Sequence, residues 1–254
     1  MSWTAVVLAG SRPGRDAFAE QFGTDLKALI PVAGEPMVRR PVRALMQSDR
    51  IGKILVLSQS PGRIGAVLPE DRRIELEQSQ GTIAETILRL IADRALQWPL
   101  LVTTADHALL DSTTIDEFCD TAEGADVAIG VVERANLMRR LPMTTRTWIS
   151  LRGGAYTGAN LFALGSPNVA PAVEMWRSVE QDRKKGWRVV SILGPRVLFS
   201  AALRLVPLEG VMVRLSARLG LTIKAVGLSN PLAGVDVDKA EDKLLAEAII
   251  EGRG

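Results

Sequence analysis

The fold class of this chain is indicated by one stretch near its start, Trp3-Thr4-Ala5-Val6-Val7-Leu8-Ala9-Gly10-Ser11-Arg12-Pro13-Gly14-Arg15. Its first half is apolar and β-branched, as expected of a buried strand, and its second half is a loop with two glycines. A glycine has no Cβ atom, so backbone N–H groups beside it can approach phosphate oxygens closely. The stretch therefore predicts the first strand of a sheet, followed by a loop that binds phosphates.

Beyond this stretch, short apolar runs alternate with longer segments of helical periodicity. Such alternation is typical of a mostly parallel sheet covered by helices on both faces. We therefore predict an α/β protein of the Rossmann-like, three-layer α/β/α kind, with residues 1–254 forming a single domain. The predicted strands are 4–9, 53–58, 99–104, 126–132, 157–163 and 221–226, and the predicted helices are 35–48, 82–96, 112–123, 171–185 and 239–250.

The segment 187–220 departs from this alternation, because its apolar residues are dense and arginines punctuate it. We interpret it as an apolar helical insert of two short helices, broken near Pro207–Gly210. Three partners fit the apolar faces over 189–220: the core of the domain, a second subunit in a homodimer, or the surface of a membrane.

Composition favours a globular protein with a small anionic ligand over a nucleic-acid-binding protein. The 254 residues carry a formal net charge of only +2 and contain 4% aromatic residues, so we expect no nucleic-acid partner. The single cysteine, Cys119, cannot form an internal disulfide and indicates a reducing compartment. The N-terminus lacks the features of a signal peptide, and no run of about 18 apolar residues occurs. We therefore expect a cytoplasmic protein, with contact to the inner face of a membrane as the alternative left by 189–220.

Two common phosphate-binding motifs do not fit the loop after the first strand. A P-loop requires Gly-Lys-Ser/Thr at a fixed distance, and the dinucleotide fingerprint requires Gly-x-Gly-x-x-Gly. Neither spacing follows Gly10. Arg15 in the loop and Lys27 beyond it could neutralise a triphosphate, so the loop is expected to bind a nucleotide in another way.

The loop, taken with Lys27-Ala28-Leu29-Ile30-Pro31-Val32-Ala33-Gly34-Glu35-Pro36-Met37, resembles the opening of the molybdenum cofactor guanylyltransferase-like nucleotidyltransferases. The resemblance implies their glycosyltransferase-A-like fold. The common form in that family is Leu-Ala-Gly-Gly-x-Gly-x-Arg-Met, and this chain has Ser11 and Asp16 in place of the second glycine and the methionine. The resemblance also implies that Lys27 and Arg15 act on the phosphates as catalytic groups. It assigns nucleotide binding to Leu8, Ala9, Gly10, Ser11, Gly14, Arg15 and Lys27.

A second candidate site follows the buried run Leu100–Thr104, where Asp106 stands at the carboxyl end of a predicted strand. Ligands of open α/β sheets gather outside the carboxyl ends of the strands, so Asp106 is expected near the phosphates. An aspartate there can hold Mg²⁺, which usually binds one or two carboxylates plus substrate phosphates. The alternative is an N-cap of the next helix, for which Ser112 is better placed. The family's metal aspartate occupies the corresponding position, and the resemblance makes Asp106 a catalytic metal ligand.

The stretch Gly234-Val235-Asp236-Val237-Asp238 is similar to the Asp-x-Asp run that precedes the last helix in this family. We expect one of the two aspartates to be the second ligand of Mg²⁺, and the resemblance favours Asp238. Asp238 and Glu241 could also form a capping arrangement at the start of that helix.

Two further segments are candidates for substrate binding. Gln80, Gly81 and Thr82 match the family's Gly-Thr pair that lies against the base and ribose, although a turn with an N-cap explains them equally well. The segment Tyr156–Phe162 is similar to the part of the family that faces the acceptor. From it we select Thr157, Gly158 and Asn160, together with Arg152 among the preceding arginines, as candidate acceptor-binding residues. His107, the single histidine, is interpreted as a structural residue.

These features together predict a Mg²⁺-dependent nucleotidyltransferase. It would join an NMP from an NTP to a small phosphorylated acceptor and release pyrophosphate, and the apolar segment 189–220 suggests a lipid-related acceptor. Two alternatives stay open. One is a glycosyltransferase of related fold, which normally has an Asp-x-Asp pair where this chain has Asp106-His107-Ala108; the other is a nucleotide-binding subunit without catalysis.

Overall fold

The computed structural model describes residues 2–10, 14–79, 81–93, 96–181 and 206–253. The predictions made for Ser11, for Gln80 and for 182–205 lie outside these ranges. Within them, no helix is long and apolar enough to cross a membrane.

Strands and helices alternate along the described chain. The strands are β1 (Trp3–Leu8), β2 (Pro31–Val32), β3 (Glu35–Pro36), β4 (Ile51–Ser58), β5 (Ile74–Gln78), β6 (Leu100–Thr104), β7 (Val127–Glu133), β8 (Ile149–Leu151), β9 (Gly154–Leu164) and β10 (Ile223–Gly227). The helices are α1 (Ala17–Glu20), α2 (Arg39–Gln47), α3 (Pro61–Gly65), α4 (Ile83–Ala92), α5 (Ser112–Ala122), α6 (Arg134–Arg140), α7 (Ala170–Gln181), α8 (Leu208–Leu219) and α9 (Ala240–Ile250).

The strands form one large mixed sheet and one small hairpin. The large sheet has the order β10-β7-β9-β6-β1-β4-β5, with β8 paired to β9, and β2 and β3 pair separately. Strand β9 runs antiparallel to β6, β7 and β8, whereas the other pairs of the large sheet are parallel. The predicted α/β fold with a mostly parallel sheet is confirmed.

Helices cover both faces of this sheet, because successive residues of its strands are buried on opposite sides. Ala5 and Val7 of β1 belong to a core cluster with residues of α2 and α5, while Val6 belongs to a second cluster with residues of α4 and α7. Cys119 lies on α5 in the first cluster, and burial raises the pKa of its thiol to about 12. Cys119 is therefore a packing residue of α5.

Several predicted boundaries were wrong. The helix predicted over 35–48 begins only at Arg39, because Glu35 and Pro36 pair with Val32 and Pro31 in the hairpin. The short strands β5 and β8 were not predicted; β5 is an edge strand with Glu75 and Glu77 exposed, so it lacks a continuous apolar run. In the apolar segment, α8 starts after Pro207, as predicted, but Gly210 continues the helix instead of breaking it.

We expect Phe118→Ala to destabilise the protein strongly, because Phe118 of α5 is fully buried in the first core cluster. Truncating a buried phenylalanine leaves a cavity and typically costs about 3–5 kcal/mol. The free energy of unfolding from urea titration measures this loss. Leu244→Ala on α9, where the side chain is 65% exposed, is the control and should change that free energy by less than about 0.5 kcal/mol. Equal effects of the two substitutions would show that α5 does not pack as described.

Candidate active site

A cavity of about 890 Å³ lies at the carboxyl ends of the central strands. Residues at or just beyond the ends of β1, β4, β5 and β6 line it, as expected for a ligand site of an open α/β sheet. The predicted site residues in its wall are Leu8, Gly10, Arg15, Lys27, Gly81, Thr82, Asp106, Asn160, Asp236 and Asp238. The sequence-based predictions therefore converge on one place.

Lys27 lies at the centre of the acidic part of this cavity. It begins a 3₁₀ turn (Lys27–Leu29) that precedes the β2–β3 hairpin. Its Nζ donates a hydrogen bond of 2.6 Å to Asp106 Oδ2 and another to Asp238 Oδ1. Burial alone would lower the pKa of Lys27, but the charges of Asp106 and Asp238 and their hydrogen bonds outweigh this and raise it. Lys27 is therefore held as an ammonium between two carboxylates.

The two acidic loops are also joined through their backbones. The Asp106 carbonyl accepts a hydrogen bond of 3.0 Å from the backbone N–H of Val237, which lies between Asp236 and Asp238. Thr104 donates its hydroxyl to Asp106 Oδ1 and so orients the carboxylate. These bonds hold the end of β6 and the approach to α9 together at the cavity.

Asp236 has a different environment from Asp238. Arg146 and Asn160 hold its carboxylate, and Arg146 also donates to the Asp236 carbonyl. The pKa of Asp236 is raised by burial and by the neighbouring charges of Asp238 and Asp106, which Arg146 opposes. The side chain of Arg146 is only 8% exposed and reaches Asp242 of α9 at 3.1 Å. Asp236 is thus already engaged by an arginine, whereas Asp238 faces Lys27 and is 63% exposed.

The structure describes the loop after β1 at residues 9–10 and again from 14 onward. Asp16 caps α1 by accepting from the backbone N–H groups of Phe18 and Ala19. Arg15 lies at the edge of the cavity with its side chain 88% exposed, and its guanidinium binds Glu20 at 2.7 Å. Among the predicted loop residues that are described, Ala9 and Gly14 do not line the cavity.

Another part of the cavity wall contains the predicted Gly81-Thr82 pair. Gly81 has a φ of +82°, which favours glycine, and Thr82 caps α4 in a capping box with Glu85. The capping role therefore holds, and both residues also line the cavity. Gln59 and Ser79, which follow β4 and β5, lie beside them. We predicted neither residue. Ser79 was missed because β5 was not recognised in the sequence, whereas Gln59 follows a predicted strand but belongs to no motif that marks it.

The predicted acceptor residues are only partly brought together. Asn160 lines the cavity, with a φ of +47° at an irregular point of the β7–β9 pairing. Thr157 is buried, Gly158 is exposed, and Arg152 is exposed in the turn between β8 and β9, so the structure describes all three outside the cavity wall. Arg146, one of the arginines that precede this segment, holds Asp236.

His107 agrees with the structural role predicted for it. His107 is buried behind Asp106, its Nδ1 lies 3.4 Å from Thr103 Oγ1, and burial lowers its pKa to about 4. A buried imidazole without charge is consistent with this role.

Two predicted helix caps were wrong. The cap of α5 is Asp111 and not Ser112. The N-cap position of α9 is Lys239, which makes no side-chain bond to the helix, so Asp238 is not the cap.

The acidic side chains fit a magnesium ion that arrives with phosphates. Among the described residues, no group of three or more His, Cys, Asp or Glu side chains could hold a metal ion alone. Asp106 and Asp238, however, already share one cation, the Lys27 ammonium. Two carboxylate donors, completed by substrate phosphates and water, are a usual environment of Mg²⁺ at phosphate-transfer sites. The donor set is therefore chemically suitable for this ion.

Comparison with known proteins gives a family match and structural neighbours. Residues 5–204 match the model of the MobA-like NTP transferase domain. No curated protein sequence matches the chain. A hypothetical transferase from Thermus thermophilus is 30% identical and superposes with a TM-score of 0.81, over 96% of this chain and 100% of the other.

Two more distant structures share the fold. One is the 4-diphosphocytidyl-2C-methyl-D-erythritol synthase of Anaerococcus prevotii, with 10% identity, a TM-score of 0.62, and coverage of 98% of this chain and 96% of the other. The second is a nucleotidyl transferase from Methanothermobacter thermautotrophicus, with 15% identity, a TM-score of 0.58, and coverage of 100% and 99%. At such identities, the likeness concerns the fold alone.

We expect Arg146→Met to destabilise the folded protein, because Asp242, only 7% exposed, loses its ion-pair partner. Breaking a buried ion pair by removing one partner typically costs about 3–5 kcal/mol. Urea unfolding near pH 7 measures the loss, and a second substitution, Asp242→Asn, should recover part of it. Arg139→Met is the control, because Arg139 is exposed and bonds Asn136 on its own helix. Full stability of Arg146→Met would contradict the described link between 146 and the acidic loop.

Proposed function

Because the chain belongs to the MobA-like NTP transferase domain family, we propose that it is a Mg²⁺-dependent nucleotidyltransferase. It transfers the NMP part of an NTP to a small phosphorylated acceptor and releases pyrophosphate. The observation that carries this proposal is the position of Lys27 between Asp106 and Asp238, in a cavity that the loop after β1 also lines. A glycine loop that can bind phosphates, a partly buried ammonium and two convergent carboxylates are the groups that this reaction needs.

In the proposed reaction, a phosphate oxygen of the acceptor attacks the α-phosphorus of the NTP. A new P–O bond forms, the bond between the α-phosphorus and its bridging oxygen to the β-phosphate breaks, and pyrophosphate leaves. This transfer depends on positioning and charge neutralisation more than on a general base, which agrees with a buried, neutral His107 outside the cavity wall.

The residues divide into three roles. Asp106 and Asp238 would hold Mg²⁺, which neutralises charge on the phosphates when it is bound. Lys27 and Arg15, with the backbone N–H groups near Gly10, bind the triphosphate and assist the departure of pyrophosphate. Gly81 and Thr82, with Gln59 and Ser79 beside them, form the wall for the base and ribose, and Asn160 faces the acceptor.

We assign Asp238, and not Asp236, as the second metal ligand. Asp236 is engaged by Arg146 and Asn160, whereas Asp238 shares a cation with Asp106 and is open to solvent.

We retain the single domain and the cytoplasmic location as parts of the proposal. Homodimerisation or membrane contact through 189–220 remains a prediction.

We expect Asp106→Asn to lower the rate of pyrophosphate release by about a hundredfold or more, because the transition state loses a charged metal ligand. The assay mixes the purified protein with Mg²⁺, each NTP in turn and a pool of phosphorylated metabolites. Asp120→Asn, which changes an exposed aspartate paired with Arg50, is the matched control and should be fully active. Binding of a nucleotide sugar in place of any NTP would support a glycosyltransferase, and NTP binding that never leads to pyrophosphate release would support a non-catalytic subunit.

We expect Lys27→Met to bind Mn²⁺, a probe for Mg²⁺, about tenfold more tightly than the wild type in the absence of nucleotide. The lysine ammonium and a metal ion compete for the same two carboxylates, so removing the ammonium leaves the carboxylates to the metal. Titration followed by electron paramagnetic resonance measures free Mn²⁺, and pyrophosphate release by the variant should be strongly reduced. Lys53→Met, at a surface ion pair with Glu75, is the control. Unchanged Mn²⁺ affinity in Lys27→Met would exclude Asp106 and Asp238 as the metal site.

A further inference from the structure

The cavity has two chemically different parts. The part around Lys27 is charged, and its carboxylates were described above. Another part is apolar and lies on the face of the sheet covered by α4 and α7. The side chains that form it are Leu8, Ile83, Val102, Phe162 and Trp176, which pack against the second core cluster.

The order of the strands places these parts along one line. The cavity wall takes residues that lie on β4, β1, β6 and β9 or just after β5, and these five strands are successive neighbours in the sheet. Adjacent strands lie about 4.8 Å apart, so Gln59, just after β4, and Phe162, on β9, are separated by three spacings, roughly 14 Å across the sheet. The loop after β1 and Asp106 after β6 lie between them. The β9 end therefore lies across the phosphates from Gln59, while Ile83, the first residue of α4, connects it to Thr82 of the wall assigned to the base and ribose.

Two aromatic side chains form the apolar end. The rings of Phe162 on β9 and Trp176 on α7 lie 5.6 Å apart between centroids, with an angle of 30° between their planes. Both side chains are partly exposed. An exposed aromatic surface that continues into a polar site is characteristic of ligand pockets, in which apolar walls bury the body of a ligand and few polar groups orient it.

On the basis of the proposed function, we propose that the acceptor is a phosphate ester with an apolar, chain-like body, which lies against Phe162 and Trp176 while its phosphate faces Lys27 and Asp106. The structure is compatible with this arrangement, because the aromatic end and the acidic centre line the same cavity. Trp176 is then a specificity-determining residue for the acceptor.

The chemistry of the apolar end favours this body over a sugar or a base. Hydroxyl and amide groups lose water on binding and need hydrogen-bond partners in exchange. Among the described residues at this end, the Thr86 hydroxyl already donates to the Thr82 carbonyl at 2.9 Å. Ile83, Val102 and Phe162 have no polar side-chain atoms, and Trp176 offers a single N–H donor. Burial of an alkyl chain requires no such partners and removes apolar surface from water.

The test is a comparison of two phosphate monoesters, octyl phosphate and glycerol 3-phosphate, by isothermal titration calorimetry on the full chain with Mg²⁺. We expect octyl phosphate to bind with one-to-one stoichiometry and at least about tenfold more tightly than glycerol 3-phosphate. Trp176→Ala should remove most of this preference, and Trp176→Phe should retain it, because an aromatic surface remains. Trp148→Ala is the matched control, since Trp148 contacts Arg134 outside the cavity wall.

NTP binding, measured on each variant, shows that the site is folded and separates the possible results. Equal affinity for the two esters, or tighter binding of glycerol 3-phosphate, would overturn the inference. A loss of NTP affinity in Trp176→Ala, with octyl phosphate binding unchanged, would also overturn it, because the aromatic pair would then hold the base. If pyrophosphate is released with a polar acceptor alone, the proposed function stands and the inference fails. If no NTP binds to the wild type, the proposed function fails, and this end of the cavity is not an acceptor site.

Discussion

The contact of the Lys27 ammonium with the carboxylates of Asp106 and Asp238 is the interaction on which the site depends. The three residues come from distant parts of the sequence: the turn before the β2–β3 hairpin, the end of β6 and the approach to α9. Two carboxylates this close would repel each other without a cation between them. Lys27 supplies that cation in the absence of ligand, and the backbone bond from Val237 to the Asp106 carbonyl fixes the separation of the loops. In the absence of ligand, the Lys27 ammonium thus occupies the position that the proposed Mg²⁺ would take between the two carboxylates.

The ion pairs of Arg146 support the contact between Lys27 and the two carboxylates. Arg146, nearly buried, joins Asp236 to Asp242, so the acidic loop is anchored to α9. Asn160 adds a bond to Asp236 from β9, at a backbone conformation that few residues adopt. Such conformations persist only where the surroundings impose them. The antiparallel strand β9 therefore contributes both an apolar wall, through Phe162, and a polar group directed at the acidic loop.

The sequence was sufficient for the local parts of this arrangement and insufficient for the parts that depend on distant contacts. The first strand, its glycine loop and Asp106 at the end of β6 follow from composition and alternation, and the family expected from Leu8–Arg15 and Lys27–Met37 is confirmed. The pairing of Lys27 with Asp238, 211 positions apart, has no local signal. Arg146 looked like any other arginine, and Phe162 and Trp176 carry apolar patterns that equally describe core residues. Caps were also misplaced by one residue, because Asp111 and Ser112 are both good capping types and only the backbone decides between them.

The outer strand β5 limits how copies of this chain can meet. Its free side would accept another strand if it were flat and apolar, but Glu75 and Glu77 are exposed along it and Glu75 is paired with Lys53 of the neighbouring strand. A second backbone docking there would strip water from these carboxylates, and charged edges are a common protection against such addition. Solvation of the two glutamates thus opposes the addition of a further strand at this edge of the sheet, which ends beside the cavity at Ser79.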